Sequence, residues 1–208
     1  VNPTFDSQTK ETLTLKPSAF GSKWDMPEDF ALYYNLVKDD LTRGQYPGSP
    51  EIIARMLRGQ DRLIANELHP EDFETLKANL RKHKNVRVTN LDAYECMRAN
   101  IPPQEKRGII LIDPPFEKPD DYVRSAETAI TVVKRDPTAT AAIWTPLKDL
   151  ETFDAFIRKL QGRAGPTLVA EARLRPLTNP MKMNGCALVI VNPPPGAEDA
   201  VVEGHRIR

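Results

Sequence analysis

The tetrapeptide Asp113-Pro114-Pro115-Phe116 follows an apolar run, Gly108 to Ile112, that reads as a strand. An α/β sheet binds ligands outside the carboxyl ends of its strands, so these four residues are delivered to a functional edge. Two successive prolines remove two backbone donors and stiffen the turn. A carboxylate and a carbonyl can then converge on one point, with an aromatic ring alongside. That set suits an exocyclic amino group on a planar base, which offers two N–H hydrogens and a face to stack on. In adenine the lone pair of that amine is delocalised into the ring. Accepting both N–H hydrogens, at the Asp113 carboxylate and the Pro114 carbonyl, favours a pyramidal nitrogen whose lone pair can meet an electrophilic methyl. Phe116 would stack on the base. The same four residues also make a rigid strand-ending turn with no chemistry at all.

A second proline run, Asn192-Pro193-Pro194-Pro195, follows another apolar strand but has no aromatic residue. It is expected to end the sheet. Two acids stand at comparable strand ends upstream, Glu67 after Leu63 to Asn66 and Asp92 after Val86 to Leu91. A carboxylate in such a place can accept the two hydroxyls of a ribose, and one at the next strand can receive an adenine amino group. Each taken singly also fits a helix N-cap or a solvated charge. Three acids on three successive strand ends form a stronger pattern than any one of them.

Lys plus Arg number 29 and Asp plus Glu 29, a formal net charge of zero that excludes a blanket basic surface. Contact with nucleic acid must come from local patches. Arg173 and Arg175, two apart on a strand, project to one face. With Lys182 on the following loop they are candidates for contacting RNA phosphates. The run Arg81-Lys82-His83-Lys84 is most simply the cationic end of a helix. Cys96 and Cys186 are far apart, and His69, His83 and His205 share no ligand spacing, so neither a metal site nor a disulfide framework is expected. The longest apolar stretches are far short of the roughly 20 residues that span a bilayer. A cytoplasmic, monomeric protein is the expectation.

The elements that must position these residues are legible as an alternation. Helices are expected over 28–41, 50–58, 70–82, 93–99, 119–134 and 149–161, and strands over 62–67, 86–91, 108–113, 140–145, 167–175 and 186–192. Ser49 reads as an N-cap, with Pro50 at the first helical position. This is an α/β layer fold with a mostly parallel sheet. No helical segment separates the last two strands, so they should form an antiparallel hairpin appended to it. Residues 1–45 read as an irregular and helical segment beside a core over 46–208.

YPGSP (46–50), NELHPED (66–72), RGIILIDPPFE (107–117) and NGCALVIVNPP (184–194), in this order, resemble the RlmJ family, bacterial methyltransferases acting on adenine N6 in 23S ribosomal RNA. The resemblance runs from about Tyr46 to Pro194. It implies a Rossmann-like fold with a small helical insert, which would include residues 1–45, and S-adenosylmethionine as cofactor. It further implies that Asp113 to Phe116 is the catalytic tetrapeptide and that Asp113 also borders the cofactor. Glu67 would hold the ribose, Asp92 and Ala93 the adenine, and Ser49 the methionine part. Ala93 stands where the family usually has Gly. Family members also carry an upstream strand and a Gly-rich loop, and no Gly-x-Gly occurs in this sequence. The sequence is therefore expected to be part of a longer polypeptide and, by itself, to bind the cofactor weakly. A non-catalytic RNA-binding or assembly protein on a decayed core, and a DNA adenine methyltransferase, remain alternatives, because the tetrapeptide reads a flipped base and not its sugar.

Overall fold

The structure is a computed structural model that describes residues 28–118, 120–173 and 184–204. Arg175 and Lys182 lie outside them, as does the whole segment before α1. The chain divides into two compact units, one ending at Cys96 and one beginning at Met97.

In the first unit, α1 (Glu28–Thr42) and α2 (Ser49–Met56) precede β1 (Leu63–Asn66), α3 (Pro70–Leu80) and β2 (Val86–Thr89). The division falls inside α4 (Ala93–Asn100). β1 and β2 pair in parallel, with Leu63 opposite Val86 and Asn66 opposite Thr89. Parallel neighbours need a crossover, and α3 supplies it. Ala54, Ala65 and Leu80 are buried at the centre, with Leu63, Leu76, Val86 and Val88 packed around them. Pro70 pre-sets the first turn of α3, and Glu71 and Asp72 complement its dipole.

A charge network ties α1, α2 and the turn after α3. The buried carboxylate of Asp40 takes hydrogen bonds from Arg43 and Arg55, and Arg55 also donates to Glu51. Glu51 in turn pairs with Lys82 at 2.7 Å and His83 at 3.0 Å. Half of the basic run after α3 is thus joined to a named acid. Burial raises the pKa of Glu51, but hydrogen bonds from Lys82, Arg55 and His83 outweigh it and hold the carboxyl below its ordinary value.

The second unit holds β3 (Ile109–Ile112), α5 (Asp121–Arg135), β4 (Thr140–Leu147), α6 (Leu150–Leu160), β5 (Thr167–Arg173), β6 (Gly185–Val191) and α7 (Ala197–Gly204). The sheet order is β3-β4-β6-β5. β6 runs antiparallel to both β4 and β5, so β3, β4 and β5 share one direction. The expected antiparallel hairpin of β5 and β6 is appended to the parallel pair, with β6 beside β4 and β5 outermost among the described strands. Gly185, Ala187, Val189 and Val191 are buried at alternate positions, so one face of β6 is turned to the core, and the residues between them are partly buried. α5 and α6 contribute Ala126, Ala129, Ile130, Val132, Phe153, Phe156 and Leu160 to the same core. Each fully buried Val, Ile, Leu or Phe stabilises by about 1.5–3 kcal/mol.

β3 pairs with β4 alone among the described strands, and Ile109 and Leu111 are 77% and 42% exposed. The second proline run does end the sheet as expected. Asn192 adopts φ +54°, donates its Nδ2 to the carbonyls of Pro137 and Ala139, and accepts from Thr140 Oγ1. Its backbone N–H donates to the Pro166 carbonyl, so the asparagine is committed to structure.

Candidate active site

Asp113 follows the last residue of β3, at the carboxyl end of the strand. It stays in contact with solvent, yet the atoms around its carboxylate exclude enough water to raise its pKa above the ordinary value. Among the described residues no cation opposes that shift. Its side chain accepts no hydrogen bond among the described residues, so the carboxylate is available to a donor from outside. Pro114 and Pro115 then carry the chain away from the strand with no N–H to offer.

Phe116 departs from expectation. Its residue is 3% exposed, and its ring packs on Tyr122 at 4.7 Å between centroids and on Trp144 at 6.4 Å. It offers no face to a base in this conformation. The backbone there has φ +52°, a left-handed geometry that costs a non-glycine residue of order 1–3 kcal/mol and needs surrounding contacts to hold it. Those contacts include Lys148, just beyond β4, whose Nζ donates to the Phe116 carbonyl at 3.3 Å. Tyr122 Oη donates to the Pro146 carbonyl, and burial, helped by the charge of Asp149, pushes this phenol up to about 12. Tyr122 is therefore a packing group at neutral pH. Sequence reasoning passes over Tyr122, Trp144 and Lys148. The one cue present is the position of Lys148 at the end of an apolar strand, the same cue that singles out Asp113.

The first unit carries the other acids. Glu67 follows β1 and is half-buried; one of its oxygens accepts from the His69 N–H at 2.9 Å, and the other has no partner among the described residues. Asp92 precedes α4. Its Oδ1 accepts from the Tyr94 N–H at 2.8 Å and its carbonyl from Cys96, as a helix N-cap does. Ala93, the first residue of α4, is exposed. Parallel pairing of β1 with β2 puts Glu67 and Asp92 at the same end of this small sheet.

Two asparagines that sequence reasoning misses fasten that end. Asn66 Nδ2 donates to the Leu91 carbonyl at 2.9 Å, and its Oδ1 accepts from Thr89 Oγ1 and the Leu91 N–H. Asn90 Nδ2 donates to the carbonyls of Glu67 and Leu68. The segments bearing both carboxylates are thus cross-linked through four side-chain to backbone bonds.

Ser49 is not the N-cap. Gly48 takes that place, because its extended backbone turns the chain into the helix, and Ser49 becomes the first helical residue. Its exposed hydroxyl has no hydrogen-bond partner among the described residues. Arg173, at the end of β5, is 52% exposed in its side chain and paired with Glu171 two residues earlier on the same face. An acid therefore offsets the one described member of the expected cationic rim.

Comparison with known proteins gives a consistent picture. A family model described as "Ribosomal RNA large subunit methyltransferase D, RlmJ" matches residues 19–205. The chain is 36% identical over 182 residues to the ribosomal RNA large subunit methyltransferase J of Haemophilus influenzae, covering 84% of this chain and 65% of that protein. It is 33% identical over 174 residues to the Escherichia coli protein of the same name, covering 82% and 62%. The chain thus spans just under two thirds of the length of these relatives. A crystal structure of a Legionella pneumophila protein superposes with a TM-score of 0.80 at 28% identity, covering 95% of this chain and 74% of that one. Separately, 29 residues, 14% of the chain, are 72% identical to part of DNA topoisomerase 2 from Arabidopsis thaliana, a stretch too short to bear on fold or activity.

Proposed function

We propose, for a chain that belongs to the RlmJ family of ribosomal RNA large subunit methyltransferases, that it carries the amine-orienting and cofactor-holding residues of a 23S ribosomal RNA adenine-N6 methyltransferase. The observation that carries this reading is the Asp113 carboxylate, partner-free among the described residues and partly stripped of water, at the end of β3 and before two prolines. It accepts one N–H of the adenine amine while the Pro114 carbonyl accepts the other. Engaged by no described residue, the exposed carboxylate enters that bond without giving up another protein partner.

S-adenosylmethionine supplies the electrophilic methyl when bound. The residues of the first unit fit that cofactor by their donor chemistry. Glu67 keeps one oxygen for the ribose hydroxyls, Asp92 and Ala93 border the adenine, and the uncommitted Ser49 hydroxyl meets the methionine part. Asn66 and Asn90 fix the loops that present the two carboxylates. Phe116 stacks on the base only once its ring has left Tyr122, and its immediate role is to anchor the turn.

On this reading the protein acts on ribosomal RNA in the cytoplasm, as a monomer. Among the described residues no helix is long and apolar enough to cross a membrane. Arg173, with Arg175 and Lys182, contacts phosphates; three such contacts give a log–log salt slope of only about −2 to −3.

The test is transfer of labelled methyl to unmodified 23S RNA and to a DNA oligonucleotide of matching sequence. It uses this chain and the same chain within its full reading frame, with calorimetry for the cofactor on both. Label in adenine of RNA from the full reading frame, lost with Asp113→Ala, is the expected result. Label in DNA alone, or in neither nucleic acid, rejects the reading.

A further inference from the structure

A turn that begins with two donor-less prolines and passes through a left-handed Phe116 needs something to hold it in a single shape. Pro114 and Pro115 have no N–H to tie them down, and Asp113 keeps its carboxylate free among the described residues. The ring of Phe116 fixes one end by packing on Tyr122 and Trp144. Packing is weakly directional, however, and it does not by itself set the direction of the peptide plane that follows φ +52°. A charged donor aimed at that peptide's carbonyl does set it.

Lys148 is that donor. Its ammonium reaches the Phe116 carbonyl at 3.3 Å. Its own backbone is fastened by the buried Asn184, whose Nδ2 donates to the Lys148 carbonyl at 2.9 Å and whose N–H donates to the Leu147 carbonyl at 3.1 Å. The lysine therefore springs from a fixed point at the end of β4, the strand paired with β3. A flexible side chain on a rigid base spans the two strand ends.

We propose that Lys148 is a positioning residue for the Asp113–Phe116 turn, acting through the Phe116 carbonyl so that the Asp113 carboxylate and Pro114 carbonyl keep the spacing an amino group requires. This rests on the adenine-amine reading for its purpose, but not for its geometry. A lysine retained only for solubility would project into water instead of bridging two strand ends while half-buried.

The experiment compares Lys148→Met, which keeps the aliphatic stem, with Lys148→Arg, which keeps the charged donor. Hydrogen exchange of the peptide over residues 113–121 and the global unfolding midpoint are measured on this chain. Lys148→Met is expected to speed exchange of that peptide about ten-fold with the midpoint and the rest of the second unit unchanged, and Lys148→Arg to restore it. Unchanged exchange in Lys148→Met overturns the proposal. Exchange accelerated equally throughout the unit also overturns it, because the lysine would then be a general structural contact. In the full reading frame, Lys148→Met should lower kcat for methyl transfer several-fold more than it raises KM. A rise in KM alone would overturn the positioning role. Local loosening in a protein whose unsubstituted form transfers no methyl would uphold the role of Lys148 in the turn while rejecting the adenine reading.

Discussion

The rings of Phe116 and Tyr122 lie 4.7 Å apart and inclined by 52°, so the aromatic member of the tetrapeptide faces the interior of its own unit. A residue expected to act only when a base arrives is already used in folding. Phe116→Ala should accordingly destabilise the second unit by about 3–5 kcal/mol, the usual cost of emptying a buried aromatic site. Denaturant unfolding followed by Trp fluorescence measures it, and a loss below ~1 kcal/mol would mean that the ring is not packed as described.

Asp113 should show the opposite behaviour toward stability. Water exclusion raises its pKa, so between its unfolded and folded values the native state binds more protons. Stability from this group is present below the ordinary aspartate range and is lost as pH rises through the folded value. Asp113→Asn should therefore raise the unfolding midpoint slightly at pH 7 and leave it unchanged near pH 3. Asp113→Ala, which removes the acceptor outright, should abolish methyl transfer in the full reading frame while leaving cofactor affinity within a few-fold, since the lost bond serves mainly the transition state.

The network around Asp40 has the reverse sign. The hydrogen bond from Arg55 lowers its pKa, burial opposes this, and Arg43 adds to the lowering. Its stabilisation is complete above the ordinary aspartate range and is lost as pH falls toward the folded value. Asp40→Ala should cost the first unit roughly 1.5–3 kcal/mol at neutral pH, the range for hydrogen bonds to charged groups. The difference between variant and parent should narrow steadily in an acid titration of the unfolding midpoint. A constant difference down to pH 2 would show that packing, not charge, is responsible.

Gly185 gives a steric test. A Cβ placed there would stand 2.3 Å from the Ala172 carbonyl oxygen, in the strand paired with it. Backbone cannot yield cheaply, so Gly185→Ala should cost about 1–3 kcal/mol and loosen the β5–β6 pairing. Hydrogen exchange of the 186–191 amides reports the loosening directly.

Periodicity and punctuation make most elements readable in the sequence alone. The all-apolar run ending in Asp113 reads as a strand meeting a turn, and its place at a carboxyl edge follows from the alternation of helices and strands. The same local cues fail where a distant residue decides. Phe116 turns inward because Tyr122 and Trp144 meet it, and Trp144 is 28 positions away on another strand. Ser49 looks like a cap because serine before proline usually is one, but Gly48 has the extended backbone the cap needs. Asn66 and Asn90 carry no signal, since their bonds join loops more than 20 positions apart. α7 follows three prolines in a short acidic segment, where no apolar period marks a helix.

One consequence of β3 concerns the protein in solution and not its chemistry. Among the described strands β3 pairs with β4 alone; its sequence is an unbroken Ile-Ile-Leu-Ile with neither lysine nor proline inside it, and Ile109 is 77% exposed. Ladder groups that no described strand pairs, beside exposed apolar side chains, form a template onto which an extended chain can add. With no net charge to keep molecules apart, colloidal stability falls to this edge. Precipitation should set in at a lower protein concentration near pH 7 than at pH 9, and Ile109→Lys, which places a charge on the exposed face, should postpone it at both.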